Sequence, residues 1–521
     1  MRSAPHPFGF RRAAARAPEC LALVDPAGQR WTRRALQEEA DRIANSLISR
    51  GLKRGDVVTV MAANSARYLA LALAATQNGL VLTPINYRLT SDEAGFVIED
   101  SGARVLFADV HAAEQGLAAV SRMSAGSVLV VGLDGCAGTL PYARFLDGAA
   151  STPPPFPMAG QLMNYTSGTT GRPRAVQREL CDASEEDSLL QLMQSAQANY
   201  GRSLDRGVFY MGSPLYHAAP LNWSLTALHM GHVVILASKW GAEEMLRLVT
   251  EERITWTHVV PTQFIRLLKL PQEIRSRYDL SSLECVIHAA APCPVAVKHA
   301  MIEWLGPIVW EYYAATEGGG TIASPQDWLS RPGTVGRGMP GSDIRIYRAD
   351  GTSCGANEAG EVYMRADPAL TFEYKGDPEK TQAGRRDGYF TVGDVGYLDE
   401  DGFLFLCDRR SDMIISGGAN IYPAEVEAAL VAHPLVLDAA VFGVPDDEWG
   451  ETVKAIVQLQ PGLAQSETIR ADIMAFLDSR LARMKQPKTL DFTDALPRDD
   501  NGKLYKRRLR DPYWQGRERN I

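Results

Sequence analysis

The sequence predicts an α/β protein: a large N-terminal domain of mainly parallel sheets with helices over residues 1–410, and a small α+β domain over 411–521. Three observations predict it. The chain has 521 residues, more than one domain of ~100–200 residues would use. Short apolar runs alternate with helix-length amphipathic stretches through the first half, as βαβ units require. Beyond residue 410 the elements become shorter and change order.

Taken in turn, residues 34–50 carry Leu36, Ala40, Ile43, Ala44, Leu47 and Ile48 at helical spacing and stop at Gly51. The runs VVTVMA from Val57, LVLTPI from Leu80, RVLFAD from Arg104 and SVLVVG from Ser127 read as buried strands, with a helix over 66–78 between the first two. The Pro-rich STPPPFP from Ser151 reads as a surface connection. The strand pattern resumes with GVFYMGSP, HVVILAS, THVVP and CVIHAAA. In the small domain we expect a helix over 423–432, strands over 436–444 and 453–459, and a helix over 466–483.

Lysine and arginine number 54 against 62 acidic residues, a formal charge of −8, so no global basic field recruits nucleic acid. Hydrophobic residues make up 45% and charged residues 22%, which excludes a disordered or fibrous chain. Seven scattered cysteines without a CxxC pair argue against a zinc ribbon or a disulfide framework. His229 and His232 lie close together, but no further ligand stands at zinc spacing. Arginines interrupt the N-terminal segment where a signal peptide needs an apolar stretch, and no apolar run is long enough to span a bilayer. The expectation is a soluble cytoplasmic protein.

The chemistry concentrates in five segments. YTSGTTGRPRAV from Tyr165 sets four hydroxyls (Thr166, Ser167, Thr169, Thr170) around Gly168 and closes with Gly171, followed by Arg172 and Arg174. Glycines let a backbone approach a ligand, and hydroxyls and cations suit phosphate oxygens. It is not a Walker A loop, and on composition alone it reads as a plain surface loop. EYYAATEG from Glu311 puts a carboxylate beside a hydroxyl, which suits a hard cation bridging phosphates; a capped helix start explains it equally. TVGD from Thr391, CDRRSDMIISGGANIYPAEVE from Cys407 and PRDDNGKLYKRR from Pro497 complete the set. Alone they read as a turn, a strand with a capped helix, and a solvated basic tail.

In this order and spacing the five segments closely resemble the motifs of the adenylate-forming superfamily: acyl-CoA synthetases, peptide-synthetase adenylation domains and luciferases. The resemblance spans nearly the whole chain. It implies ATP-dependent activation of a carboxylic acid to an acyl-adenylate, then thioester formation with coenzyme A, with Mg2+ as cofactor. It implies that the small domain is mobile. By it, Thr166, Ser167, Gly168, Thr169, Thr170, Gly171 and Arg174 form the phosphate loop, Tyr313 lies against adenine, and Thr316 contacts the α-phosphate. Glu317 holds the metal, Asp394 and Arg409 take the ribose, and Ser411 is the hinge. Gly417 and Gly418 meet the pantetheine tunnel, and Lys503 bridges carboxylate and α-phosphate during adenylation.

His217, Ala291 in HAAAPCPVAVK and Ala314 are implied substrate contacts, and Trp449 is an implied contact for the CoA adenine. The sequence departs from the family at Arg174-Ala175, where Lys-Gly is usual, at Ala314, where glycine is usual, and at Ser411. The acyl-site segments offer no cation for a second carboxylate, so the expected acid is apolar, medium-chain or ring-bearing. A separate carrier protein as acceptor and a catalytically silent nucleotide sensor are the alternatives. A homodimer is also compatible.

Overall fold

The computed structural model describes residues 6–124, 126–155, 157–167, 173–365, 371–417, 419–499 and 502–515. The chain divides into two compact units, Met1–Val259 with Lys269–Ile287 and Pro368–Gln382, and Val260–Leu268 with His288–Asp367 and Ala383–Ile521.

The first unit holds the expected parallel sheets. One runs in the order Leu140–Pro141, Leu129–Gly132, Ala103–Ala108, Val57–Met61, Val81–Pro84, Gln161–Leu162, every neighbouring pair parallel. Its central strands are buried on both faces, which is why they read as unbroken apolar runs. In another, Val208–Met211 lies parallel between Val233–Leu236 and Trp256–Val259, and Leu21–Val24 extends it. The helix Arg33–Ser49 starts where the Thr32 side chain accepts the Ala35 N–H. It buries Leu36, Ala40, Ile43, Ala44 and Leu47, but Ile48, read as part of the stripe, is exposed in the last turn of the helix.

The second unit differs more from expectation. Strands within residues 343–365 and 385–409 form an unanticipated antiparallel sheet, in which Gly360–Arg365 pairs with Asp343–Tyr347 and Asp394–Leu398, and the latter with Leu404–Arg409. The C-terminal sheet carries the expected strands in longer form, Val436–Asp446 and Gly450–Leu459. The helices Pro423–Val431 and Glu467–Asp478 cover it, burying Val426, Leu430, Ile473 and Leu477. The second helix stops at Asp478, short of residue 483, although Leu481 beyond it still packs into the same core. Among the described residues no helix is long and apolar enough to cross a membrane.

Candidate functional site

The centre of the site is the hairpin of Val309–Ala315 and Gly318–Ala323. Its register shifts between Ala314 and Ala315, which leaves Thr316 and Glu317 at the turn. Glu317 is only 5% exposed. Gly320, at φ 141°, is the closest approach of the two strands. A Cβ there would stand 2.2 Å from the Tyr313 carbonyl oxygen and 2.9 Å from the Ala314 Cβ, so only glycine fits.

Tyr313 donates its hydroxyl to Asp394 Oδ2 at 2.6 Å. Burial and the adjacent carboxylate push the phenol pKa well above its ordinary value. Asp394 opens the strand Asp394–Leu398, directly opposite Arg409 on the neighbouring strand, and Arg409 Nε lies 3.4 Å from Asp394 Oδ1. The strand of Tyr313 and the ladder of Asp394 and Arg409 therefore bring a phenol, a carboxylate and a guanidinium together.

Lys503 belongs to the same unit. Burial first, and then the charge of Arg409, hold its pKa below the ordinary lysine value, while Asp499, Asp412 and Glu317 pull the other way. The C-terminal motif thus brings its ammonium into the field of Arg409 and Glu317. Residues on either side of Ser411 are tied together: Asp408 Oδ2 accepts the Ala424 N–H at 2.8 Å in the first turn of the helix Pro423–Val431. Lys506 pairs with Glu427 of that helix at 2.8 Å, and Arg510 donates to the Ser411 carbonyl at 3.2 Å. Burial raises the Asp408 pKa.

The remaining expected residues are placed as follows. Thr166 and Arg174 face each other across the hairpin of Tyr165–Ser167 and Pro173–Gln177, in the first unit. Arg174 Nε pairs with Asp377 Oδ2 at 3.1 Å. Gly168, Thr169, Thr170, Gly171 and Gly418 lie outside the described residues, as does the side chain of Ser167. His217 is at the N-cap of the helix Ala218–His229, its ring 4.4 Å from that of Tyr216.

Ala291 is half-buried and Ala314 exposed. Beside Ala291, Ala290 adopts φ 75°, a left-handed conformation that disfavours any side chain. Gly417, at φ 56°, lies under the exposed indole of Trp449; a Cβ on it would come within 2.5 Å of the ring.

Sequence reasoning missed a buried charge cluster on the strand of Tyr313. Lys298 Nζ bonds Glu311 Oε2 at 2.6 Å, with Lys298 0% and Glu311 6% exposed. His288 Nε2 lies 3.4 Å from the same oxygen, and the ammonium sits 4.9 Å over the Trp328 ring. Burial lowers the Lys298 pKa and raises that of Glu311, each opposed by the partner's charge. Only the apolar setting of EYYAATEG hinted at it.

No group of three or more metal-binding side chains occurs among the described residues. One buried carboxylate beside Thr316 still fits magnesium, which keeps its waters and binds through one or two carboxylates plus substrate phosphates.

Comparison with known proteins gives the family. The model of the AMP-binding enzyme family matches residues 10–374, and that of the AMP-binding enzyme C-terminal domain matches 425–503. The chain is 31% identical over 97% of both lengths to the long-chain-fatty-acid–CoA ligase FadD13 of Mycobacterium tuberculosis. It is 34% identical to the feruloyl-CoA synthase of an Amycolatopsis species, covering 96% of this chain and 97% of that one. Its fold matches the o-succinylbenzoate CoA synthetase of Bacillus subtilis with bound acyl-adenylate at TM-score 0.80, 26% identity and 99% of both chains. The chain therefore belongs to the adenylate-forming family of AMP-binding enzymes and is an AMP-forming acid–thiol ligase.

Proposed function

We propose that the protein converts an apolar carboxylic acid, medium-chain or ring-bearing, to its acyl-adenylate with ATP and then to the CoA thioester. The observation that carries this reading is the convergence of Tyr313, Glu317, Asp394, Arg409 and Lys503 in one compact unit. A carboxylate oxygen of the acid attacks the α-phosphorus and pyrophosphate leaves. This step needs positioning and charge neutralisation, with no protein nucleophile. Asp394 accepts from the ribose hydroxyls and Arg409 supports it. Tyr313 offers a flat face to adenine, with its hydroxyl tied back to Asp394.

Thr316 donates to the α-phosphate, and Lys503 offsets the charge that builds between acid and phosphate. Glu317 would hold magnesium, which would neutralise phosphate charge when bound. The segment 166–174 covers the phosphates, with Arg174 contributing charge beside Asp377. His217, Ala291 and Ala314 border the acyl group; relatives are named for fatty-acid, ferulate and succinylbenzoate substrates, and the apolar choice rests on the lack of a cation in the acyl-site segments. For the second half the domain beyond residue 410 turns about Ser411, and Gly417, Gly418 and Trp449 meet CoA.

The test is pyrophosphate release with ATP and magnesium across fatty, aryl and alicyclic acids, with and without CoA. Acid-dependent release with acyl-CoA formed only when CoA is present supports the reading. Acid-dependent release without acyl-CoA replaces CoA with a carrier protein, and a dicarboxylate preferred by ten-fold in kcat/KM, worth ~1.4 kcal/mol, overturns the apolar pocket.

A further inference from the structure

Lys503 sits on a tightly tied loop. Its N–H donates to Asp499 Oδ1 at 2.8 Å, and Asp499 N–H returns to the Lys503 carbonyl at 3.0 Å. Gly502 turns the chain at φ 78°, and Arg498 and Leu504 close the loop as a β-bridge. These bonds tie Lys503 to Asp499 but do not by themselves set its place on the domain. The place is set by Arg498, which donates Nη1 to the Gly502 carbonyl at 2.6 Å. The same guanidinium donates Nε to Asp438 Oδ2 at 2.5 Å and Nη2 to Asp438 Oδ1 at 2.8 Å.

Asp438 stands on the long strand Val436–Asp446, where pairing with Gly450–Leu459 jumps from Val436–Leu459 to Asp438–Gln458. Leu437 is thus the extra residue of a β-bulge, a device that re-aims the next side chain. Flanking Val436, Ala439 and Val441 are in the core of the small sheet, so the carboxylate is mounted on rigid structure. Both side chains are largely shielded, at 17% and 22% exposure. The fork geometry, unlike a single surface ion pair, resists rotation.

We propose that Asp438 and Arg498 are positioning residues: a bidentate clamp that mounts the Lys503 loop on the small sheet and so sets where the ammonium reaches during adenylation. The proposal rests on the role assigned to Lys503. Lysine at 498 keeps the charge and loses the fork, and asparagine at 438 keeps the shape and loses the charge.

The experiment compares Asp438→Asn, Asp438→Glu and Arg498→Lys in the full chain. For each, acid-dependent pyrophosphate release, thioester formation from supplied acyl-adenylate, and labelling of Lys503 by an amine-reactive ester are measured, with exposed Lys53 as internal reference. A displacement of the order of 1 Å costs up to ~100-fold. We expect Asp438→Asn and Arg498→Lys to lose about ten- to a hundred-fold in adenylation kcat, with KM for ATP and acid near wild type and the thioester half-reaction spared. Asp438→Glu should recover part of the loss, and Lys503 should label faster than wild type relative to Lys53.

Equal loss in both half-reactions, or Lys503 labelling unchanged in both disrupting variants, overturns the clamp. If the wild type releases no pyrophosphate with any acid, the functional reading has failed instead, and the labelling comparison alone decides the clamp.

Discussion

Removing either member of the buried Lys298–Glu311 pair should destabilise the protein with opposite pH dependence. Lys298→Met leaves Glu311, 6% exposed, without its ammonium at 2.6 Å. Left with His288 Nε2 at 3.4 Å in place of the ammonium, the buried carboxylate takes up a proton rather than stay charged. Holding a carboxyl neutral at pH 7, some ~2.7 pH units above its ordinary pKa of ~4.3, costs about 3.7 kcal/mol at ~1.4 kcal/mol per unit. Glu311→Leu leaves Lys298, which must go neutral ~3.4 pH units below its ordinary ~10.4, at about 4.6 kcal/mol. Both values agree with the ~3–5 kcal/mol typical of breaking a buried pair.

The signs follow from which state binds the proton. In Lys298→Met the folded state holds a proton that the unfolded state releases above pH ~4.3, so the deficit grows by ~1.4 kcal/mol per pH unit upward. In Glu311→Leu the unfolded state holds the proton, so the deficit shrinks by the same amount per unit upward. The double variant Lys298→Met/Glu311→Leu removes both charges and should lie within ~1–2 kcal/mol of wild type, or above it. Urea unfolding of all four proteins at pH 5.5, 7.0 and 8.5 reads this directly. Parallel pH slopes in the two single variants, or a double variant as damaged as their sum, would refute the reasoning.

Lys503→Ala should lose ~10²–10³ in pyrophosphate release while thioester formation from supplied acyl-adenylate survives. Because burial and Arg409 lower the Lys503 pKa, the charged form that adenylation needs is lost as pH rises through a value below the ordinary lysine pKa. The alkaline limb of the adenylation profile should therefore lie below the ordinary lysine value and move upward in Arg409→Gln. Gly502→Ala should cripple adenylation in a coupled assay, since φ is 78° and a Cβ would stand 2.4 Å from Thr262 Oγ1. Adding Thr262→Ala should restore only part, because the backbone strain remains. Ala290→Gly should leave thermal stability unchanged or raise it by up to ~1.5 kcal/mol, the left-handed cost of ~1–2 kcal/mol less the flexibility of glycine; a clear fall in Tm contradicts strain at this φ of 75°.

The parallel sheets were readable because strands buried on both faces must be apolar throughout, as in Val57–Met61. The candidate site was legible through the family resemblance, which places a carboxylate at 317 and an ammonium at 503; the glycine at 320, required by the close approach to Tyr313 and Ala314, was not singled out. The antiparallel sheet within 343–365 and 385–409 was not legible, because its strands mix arginine and tyrosine, and the stabilising contacts, such as Arg345 stacked 4.3 Å over Tyr389, join distant segments. The Lys298–Glu311 pair connects a helix with a strand across 13 residues, and Asp438 meets Arg498 across 60. No local periodicity announces such pairings.

The bond from Ala424 N–H to Asp408 gives the proposed catalytic cycle a clock. Asp408 precedes Ser411 and Ala424 follows it, so a swing about Ser411 begins by stripping the helix Pro423–Val431 of an acceptor in its first turn. Losing such a cap costs about 0.5–2 kcal/mol, which slows departure by roughly two- to thirty-fold. In the proposed cycle such a dwell would lengthen the adenylation-competent stay of Lys503 before the thiol's path opens.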